Sequence, residues 1–370
     1  MRKFFVSFLV VFLVLMPLCA HAEELIGASE NLTTMEATSE EDSTDKQVDD
    51  VDIKKAENEE DAQPEKPSPY DLPFFEDVDI RIMGALVDHY VGEQDTLHDI
   101  ARHYDMGFIE MRAANPGVDS WSPVPGTAVT VPSWHVLPRA EQDGIVVNLA
   151  EMRLYYFKDK SKDPITFPLG IGRDGLETPL GETKIVKKTE APNWYPTERM
   201  REENPSLPWK VESGPSNPLG SHALYLGWPT FLIHGTNKPW GIGRAVSSGC
   251  IRMYPEDIVK LFEKVPVDTK VSVVEQPIKM AIVADSLYLE VNPSRELFSK
   301  VELHGIFDQE DIEMPEALKN RIEKEVEGTD IKIDWKDVTK AFKEKLGYPV
   351  AVGKLSAKGK DKSPAKYSYN

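Results

Sequence analysis

The chain has 370 residues, of which 41% are hydrophobic, and it carries a formal net charge of -19. A chain of this length has room for about two folded domains with tails. Nucleic acid is not an expected partner, because binding phosphates requires clustered lysine and arginine and this chain is strongly acidic.

Residues 1–22 have the pattern of an export signal peptide. Two basic residues precede an apolar run, 4–18, and Ala20-His21-Ala22 forms a small-x-small cleavage site. The run is shorter than the roughly 20 residues that a membrane-spanning helix needs. We therefore expect cleavage after Ala22 and no integral membrane segment in the mature chain, with a permanent anchor as the alternative.

Residues 23–85 are predicted to be a disordered acidic spacer. Between Glu23 and Tyr70 the sequence has 16 acidic and 4 basic residues, and it is too poor in apolar side chains to offset the entropy of ordering. A specific binding role stays open beside simple solvation. At the other end, residues 351–370 are basic and are predicted to be a disordered tail, with binding to anionic wall or lipid as the alternative.

Residues 86–137 have the order strand, helix, helix, strand. A helix follows Asp95 or Thr96, a second one spans 108–114, and a strand covers Ala128 to Val131. This small α+β unit resembles the LysM fold, whose members bind glycan that contains N-acetylglucosamine. Gln94 stands where that family usually has glycine, so a purely packing role is the alternative. The matching residues are Val91, Asp95-Thr96-Leu97, Ile100-Ala101, Asn115-Pro116, Pro125-Gly126 and Val131-Pro132.

Residues 144–275 are predicted to form a mainly β domain, a sandwich or a barrel. A hairpin spans Gly144 to Phe157, and one convincing helix begins at Pro255 with an acidic first turn. A proline-rich stretch from Glu190 to Gly220 contains Trp194, and we expect it to be a lid that partly shields the site, with an irregular structural excursion as the alternative. Further strands are predicted at Ile165–Leu169, Thr183–Lys187, Ala223–Leu226, Phe231–His234 and Val271–Val274.

Residues 276–350 are predicted to be a β-hairpin followed by a helical extension. The hairpin has its turn at Ala284-Asp285-Ser286, and two amphipathic helices cover Pro315–Glu327 and Asp334–Leu346. We expect these helices to pack on the β domain.

The segment from Ile233 to Met253 carries the chemistry. Cys250 is the only cysteine that remains after the signal peptide, so it cannot form an internal disulfide. A thiol attacks a carbonyl carbon as the thiolate and therefore needs a base nearby, and His234 lies at the end of an apolar strand that would hold the imidazole. Gly235 could accept a hydrogen bond from the other ring nitrogen and fix the tautomer. A buried, inert cysteine is the alternative.

The loop before the helix at Pro255 offers further groups. The backbone amides of Ser248, Gly249 and Cys250 could bind an oxyanion. Arg252 could hold a substrate carboxylate, with a plain surface cation as the alternative. Trp194 in the lid and Tyr225 on a predicted strand are the other candidates for substrate binding. We expect no metal and no cofactor, because zinc ligands at paired spacing are missing from the sequence.

The segment Ile233-His234-Gly235-Thr236 through Ser248-Gly249-Cys250-Ile251-Arg252-Met253 resembles the active-site signature of L,D-transpeptidases with a YkuD-type catalytic domain. The resemblance implies Cys250 as nucleophile, His234 as base and Gly235 as the carbonyl that orients the base. Many members have a second histidine where this chain has Ser248, so His234 would transfer the protons alone. Supporting matches are Gly170-Ile171-Gly172, Thr178-Pro179-Leu180-Gly181 and Asn217-Pro218-Leu219-Gly220.

The resemblance implies a wall-associated enzyme of a Gram-negative periplasm whose partners are peptidoglycan stem peptides and glycan. The cysteine would attack the bond between an L-centred diamino acid and D-Ala, and the thioester would pass to an amine. A second stem gives a 3-3 cross-link, a lysine of an outer-membrane lipoprotein gives a protein anchor, and water makes the enzyme a carboxypeptidase. A non-enzymatic wall-binding protein and a hydrolytic cysteine peptidase are the rival functions.

Overall fold

The computed structural model describes residues 81–160, 163–304 and 313–356, all within one unit of the chain, Pro64–Asn370. The predicted signal peptide, nearly all of the acidic spacer and the tail from residue 357 lie outside the described residues. Within the described ranges, no helix is both long enough and apolar enough to cross a membrane.

The first unit, which we call the module, has the predicted order of strand, helix, helix and strand inside an additional pair of strands. Strands β2 and β3 pair antiparallel, as do β1 and β4. Thr96 caps the first helix, since its Oγ1 accepts from the Asp99 amide at 3.1 Å. Its elements are β1 (Ile82–Gly84), β2 (Val87–Tyr90), α1 (Leu97–His103), α2 (Phe108–Ala114), β3 (Ala128–Val131) and β4 (Trp134–Val136).

The second unit is mainly β, as predicted, and contains one sheet of eight strands. The sheet order is β13-β11-β10-β9-β14-β5-β6-β7, and β8 and β12 form a separate parallel pair. The strands are β5 (Gly144–Asn148), β6 (Arg153–Phe157), β7 (Ile165–Pro168), β8 (Ile171–Gly172), β9 (Gly181–Glu190), β10 (His222–Leu226), β11 (Leu232–His234), β12 (Ala245–Ser247), β13 (Ile251–Arg252) and β14 (Lys270–Val274). The helices are α3 (Glu198–Glu203) and α4 (Pro255–Lys264).

Helix α4 closes one face of this sheet. It begins at Pro255, as the sequence predicts, and its apolar side buries Ile258 and Leu261 in the main core. The same core contains Ile233 and Ile251, which are fully buried. Ile109 of the module also belongs to it, so module and sheet share one apolar interior.

The third unit has a core of its own. A four-stranded sheet of order β15-β16-β18-β17 packs against α6 and α7, and their apolar side chains form a separate cluster. The prediction that these helices pack on the β domain is therefore wrong, because the sheet beneath them comes from the extension itself. Its elements are β15 (Ile278–Val283), β16 (Ser286–Val291), α6 (Glu316–Glu325), β17 (Ile331–Ile333), α7 (Trp335–Glu344) and β18 (Val350–Leu355). Helix α5 (Phe298–His304) lies between β16 and α6 in the chain, but its buried Phe298 and Val301 belong to the main core.

Two predicted boundaries also need correction. Residues 351–355 were expected to begin the basic tail, but they belong to β18, which pairs with both β16 and β17 and buries Val352. Residues 82–84 were expected to end the acidic spacer, but they form β1, and Met83 packs against a small apolar cluster beside the sheet. In both places a short apolar run forms a strand because a neighbouring strand is available to pair with it.

A buried ion cluster joins the three units. Lys279 Nζ lies 2.7 Å from Glu151, 2.8 Å from Glu290 and 2.6 Å from the Val136 carbonyl. The ligand-type atoms of His135, Glu151 and Glu290 lie within 4.8 Å of one another. The single ammonium offsets part of the charge of the two desolvated carboxylates, and burial raises the pKa of Glu290 to about 7, so the cluster is explained as a structural joint.

Candidate active site

The pairing of β11 with β13 sets the geometry of the site. The two strands run parallel, with Ile233 opposite Ile251 and His234 opposite Arg252. Because side chains alternate along a strand and both isoleucines are buried in the core, His234 and Arg252 project from the other face. Cys250 directly precedes β13, two residues before Arg252. If the alternation of side chains continues to this residue, Cys250 shares a face with His234, although 16 residues separate the two in the sequence.

His234 is held as a neutral base. Its Nδ1 donates to the Gly235 carbonyl at 2.6 Å, the bond expected from the sequence, which leaves Nε2 unprotonated. Burial, followed by the positive charge of Arg252, lowers the pKa of His234 to about 4. The imidazole is therefore uncharged near neutral pH and can accept a proton.

Cys250 is half-buried and free, and it is held as a thiol. Burial raises the pKa of the Cys250 thiol, and a backbone hydrogen bond from Leu232 and the charge of Arg252 oppose that rise without cancelling it. Sγ donates to the carbonyl of Thr230 at 3.5 Å. The resting pair is therefore a neutral thiol and a neutral imidazole, so the thiolate has to be formed by proton transfer during the reaction.

The turn between β10 and β11 supplies the backbone carbonyl that accepts the hydrogen bond of the Cys250 thiol. Thr230 has φ 70°, a conformation that is costly for a β-branched residue, and this turn brings its carbonyl to Cys250. Next to it, the ring of Phe231 packs so tightly on Gly249 that an added β-carbon would lie 2.9 Å from the ring. Gly249 has φ 103° and no space for a side chain, which explains the glycine before Cys250.

The loop before Cys250 is tied by hydrogen bonds from both sides. Ser247 Oγ accepts from the Gly249 amide at 3.2 Å and donates to the Cys250 carbonyl at 2.5 Å. On the other side, Thr178 Oγ1 donates to the Gly249 carbonyl at 2.8 Å. The Gly249 amide, predicted to line an oxyanion hole, is thus turned toward Ser247. The candidate donors that remain are the amides of Ser248 and Cys250.

Arg252 is the charged group of the site. Its main chain is fixed by Gly170, with both Gly170 N to Arg252 O and Arg252 N to Gly170 O at 2.8 Å. Among the described residues no carboxylate forms an ion pair with its guanidinium, and the buried Nε has no hydrogen-bond partner. Burial lowers the pKa of Arg252, which stays far above neutral. An unpaired cation beside the thiol suits an anionic group of a substrate.

Tyr225 and Trp194 occupy different positions around the site. Tyr225 pairs with Leu232 and with Lys187, so it lies on the same face of the sheet as His234. Lys187 Nζ lies 5.1 Å from the centre of its ring. Trp194 is half-buried in the lid, where its backbone pairs with Val211 in both directions, at 2.9 and 2.8 Å.

The lid, residues 191–220, is a folded loop that contains α3. The buried Asn217 side chain holds it by donating to the carbonyls of Pro192 and Glu212 at 2.8 and 3.1 Å. At its other side, Glu203 of α3 lies 3.5 Å from Arg173, whose amide donates to the Ser247 carbonyl at 3.0 Å. The lid therefore reaches the loop that carries Cys250.

The segment that joins His234 to Cys250 is shaped by the module. We call residues 235–249 the arm. The amide of Phe108, at the start of α2, donates to the Ile242 carbonyl at 3.3 Å, and the amide of Ile109 donates to the Gly243 carbonyl at 3.1 Å. A β-carbon on Gly243 would lie 1.9 Å from the Phe108 nitrogen. The module thus packs directly on the arm.

Sequence reasoning proposed Cys250, His234 and Gly235 as site residues but did not foresee the residues that contact them. Thr178 lies in a motif that the sequence singled out, although its bond to Gly249 was not foreseen. The contact between Thr230 and Cys250 could not be predicted from the sequence, since it is made by a backbone carbonyl in a strained turn.

Comparison with known proteins identifies the family of this chain. A family model for the L,D-transpeptidase catalytic domain, YkuD, matches residues 142–273. The probable L,D-transpeptidase YbiS of Escherichia coli (strain K12) is 40% identical over 252 residues, which is 62% of this chain and 82% of that protein. The probable L,D-transpeptidase ErfK/SrfK of the same strain is 43% identical over 220 residues, 57% of this chain and 71% of that protein. The chain belongs to the L,D-transpeptidase family.

Among solved structures, the NMR structure of the catalytic domain from the E. faecium L,D-transpeptidase has 22% identity and a TM-score of 0.30, over 37% of this chain and 99% of that one.

Family membership makes this protein an enzyme, an L,D-transpeptidase of peptidoglycan. The matched domain contains the whole His234 to Cys250 segment. The module and the extension lie outside the matched residues. The similarity to YbiS covers far more than the catalytic domain alone.

Proposed function

We propose that this transpeptidase uses Cys250 as the nucleophile and His234 as the only general base. The observation that carries the proposal is the shared face of β11 and β13, which presents the thiol, the neutral imidazole and an unpaired guanidinium together. The donor is the tetrapeptide stem of peptidoglycan, and the bond that breaks joins an L-centred diamino acid to D-Ala.

In the first half of the reaction, Cys250 turns from the Thr230 carbonyl and gives its proton to Nε2 of His234. The sulfur attacks the carbonyl carbon, and the amides of Ser248 and Cys250 stabilise the oxyanion. The imidazolium then protonates the leaving amine, the carbon–nitrogen bond breaks, and D-Ala departs. The product is a thioester on Cys250, and His234 is neutral again.

In the second half, an acceptor amine attacks the thioester. His234 takes a proton from the attacking nitrogen, the carbon–sulfur bond breaks, and the proton returns to the sulfur. Arg252 binds a carboxylate of the donor stem, because its charge acts on the Cys250 thiol and no carboxylate of the described residues forms an ion pair with it. Tyr225 and Trp194 contact the stem from the sheet and from the lid.

The acceptor decides the product. A diamino-acid side chain of a second stem gives a 3-3 cross-link, and a lysine of an outer-membrane lipoprotein gives a protein anchor. The module binds wall glycan in the manner of LysM domains, which its strand, helix, helix, strand order supports. The enzyme acts in the periplasm after cleavage of its signal peptide near residue 22.

One incubation tests the proposal. The mature chain is mixed with disaccharide tetrapeptides, with and without an added amine acceptor, and the products are weighed by mass spectrometry. We expect free D-Ala and cross-linked dimers from the native chain, a thioester adduct on Cys250, and none of these from Cys250→Ala. Full D-Ala release without any acyl transfer would indicate a hydrolase. Binding without D-Ala release would indicate a wall-binding protein.

A further inference from the structure

A row of three side chains crosses the sheet from the Cys250 thiol to an exposed lysine. The thiol lies against the backbone before and within β11, because Sγ donates to the Thr230 carbonyl at 3.5 Å and receives a hydrogen bond from the Leu232 backbone. Leu232 lies directly opposite Tyr225 on β10, and Tyr225 lies directly opposite Lys187 on β9. Side chains at directly opposed positions project from the same face of a sheet, so these three residues form one row, which we call the shelf.

The shelf is open to a ligand. Lys187 is exposed, and Tyr225 and Leu232 are half-buried. Lys187 Nζ lies 5.1 Å from the centre of the Tyr225 ring, and Tyr225 stands between Lys187 and Leu232 in the row. The ammonium is therefore directed toward the thiol and not toward β14, the other neighbour of β9.

Lys187 differs from the two other lysines of β9 in its partners. Lys184 Nζ lies 2.6 Å from Asp268, and Lys188 Nζ donates to the Val265 carbonyl at 2.8 Å. Within the described part of the chain, no carboxylate forms an ion pair with Lys187. An exposed ammonium that lies over a ring and has no counter-ion can bind an anionic group of a ligand.

Two cations thus lie on opposite sides of the reacting pair. The sheet order β13-β11-β10-β9 places Arg252 at one end, Lys187 at the other and His234 between them. Neighbouring strands are about 4.8 Å apart, so the Lys187 backbone lies about 10 Å from that of Leu232. His234 and Leu232 are two residues apart on β11 and project from one face. The proposed donor site at Arg252 therefore leaves the shelf to the amine that gives its proton to His234.

We propose that Lys187 binds a carboxylate of the acceptor, so that the enzyme selects amine acceptors with a free carboxylate several bonds from the amine. The inference rests on the proposed function, because it concerns the second half of that reaction. With the ammonium over Tyr225 and the thioester beside Leu232, the amine and the carboxylate are separated by about one strand spacing, roughly 5 Å. An α-amino acid carries both groups on one carbon and cannot span this distance. The shelf therefore holds a longer acceptor but does not retain released D-Ala.

Lys187 positions the acceptor without exchanging protons with it. The neutral amine attacks the thioester carbonyl, and His234 takes one proton from the nitrogen. The carbon–nitrogen bond forms, the carbon–sulfur bond breaks, and the proton passes to the sulfur. Throughout, Lys187 holds the carboxylate, and the Tyr225 ring contacts the carbon chain between the two groups. Fixing one end of the acceptor raises the effective concentration of its amine at the thioester.

The first test uses two acceptors that differ in one group, 6-aminohexanoate and 6-aminohexanamide. The full mature chain acts on a disaccharide tetrapeptide, and mass spectrometry follows the amide product over a range of acceptor concentrations. We expect the native chain to favour the carboxylate. Lys187→Met should lose about fivefold of that preference, mainly through KM for the acceptor, which corresponds to the about 1 kcal/mol of an exposed ion pair. Lys187→Arg should keep most of the preference.

Lys184→Met is the matched control, because Lys184 is an exposed lysine of the same strand whose charge is already paired with Asp268. Its preference between the two acceptors should equal that of the native chain. An unchanged preference in Lys187→Met, or an equal loss in Lys184→Met, would overturn the inference. Equal slowing of both acceptors in Lys187→Met would mean that this lysine only shapes the Tyr225 ring, and the inference would fail.

The second test measures the reach of the shelf with glycine, whose amine and carboxylate share one carbon. We expect Lys187→Met to lower kcat/KM for glycine much less than kcat/KM for 6-aminohexanoate. An equal loss for both acceptors would indicate a general attraction for negative charge in place of a site, and would overturn the inference. A native chain that releases D-Ala but shows no preference for the carboxylate would refute the inference alone. A native chain that releases no D-Ala would refute the proposed chemistry and the inference with it.

Discussion

Removal of the Glu110 carboxylate should strongly destabilise the docking of the module. Glu110 lies in α2 and forms a two-pronged pair with Arg153 of β6, with Oε1 to Nε at 3.1 Å and Oε2 to Nη2 at 2.7 Å. The two side chains are 4% and 1% exposed. Oε2 also accepts from the Gly107 amide at 2.9 Å, which caps the helix that contacts the arm.

The magnitude follows from burial. Taking one partner out of a buried pair leaves an uncompensated charge, which costs about 3–5 kcal/mol. The matched control is Glu256→Ala, because Glu256 also joins the catalytic domain to the module, through Arg102 at 2.8 and 2.9 Å, with side chains 39% and 40% exposed. An exposed pair is worth about 1 kcal/mol at most.

Urea unfolding of the mature chain measures both variants. We expect Glu110→Ala to lose several times as much free energy of unfolding as Glu256→Ala, and the double variant Glu110→Met, Arg153→Met to recover much of the loss because no buried charge remains. Turnover should fall in Glu110→Ala, since the start of α2 would no longer hold the arm. Equal losses in the two single variants would refute the reasoning that burial decides the cost.

Three further predictions concern the site. Because burial raises the pKa of Cys250, alkylation by iodoacetamide should be slow at pH 7 and should speed up toward pH 9 and above, as followed by mass spectrometry. Because the pKa of His234 is about 4 in the folded chain against 6.5 when unfolded, the folded state binds fewer protons between these values. Stability should therefore fall as pH drops from 6.5 to 4, by about 3 kcal/mol, and His234→Gln should remove that part of the slope. Replacing residues 195–210 of the lid with two glycines should expose Cys250 and speed its alkylation.

Each of these predictions has an outcome that contradicts it. Fast alkylation at pH 7 that is independent of pH would mean a thiolate paired with an imidazolium at rest. If stability falls between pH 6.5 and 4 as steeply in His234→Gln as in the native chain, other groups cause the fall, for example the buried His135. An alkylation rate unaffected by loss of the lid would remove its shielding role.

The sequence predicts those helices and hairpins whose residues are contiguous in the chain. Helix α4 begins at Pro255 because a proline and two acids suit a first turn, and these cues are contiguous. The Gly144 to Phe157 hairpin follows from its apolar strands. Strand β18 could not be foreseen in the same way, since Val350 to Val352 is too short an apolar run to indicate a strand without β16 and β17 beside it.

The same distinction explains why the motif indicates candidate reacting groups but not the residues that hold them in place. His234 and Cys250 lie 16 residues apart in the sequence, and the parallel pairing of β11 with β13 brings their strands together. The sequence motif contains the residues of both strands but does not show that the strands pair. The Thr230 carbonyl and the Ser247 hydroxyl both form hydrogen bonds with Cys250. These bonds depend on the shape of two turns, which cannot be predicted from the residue types alone.

The arm, which joins β11 to β13, takes its shape from contacts with other parts of the chain. A parallel pair of strands needs a crossover connection, and here the crossover from β11 to β13 is a glycine-rich loop in place of a helix. Such a loop has little rigidity of its own. It gains shape from β12 pairing with β8 and from the α2 amides that bond Ile242 and Gly243. The position of the arm between His234 and Cys250 therefore depends on a module outside the matched catalytic domain. We expect a transpeptidase domain cut at residue 142 to keep its sheet and to lose turnover of disaccharide tetrapeptides.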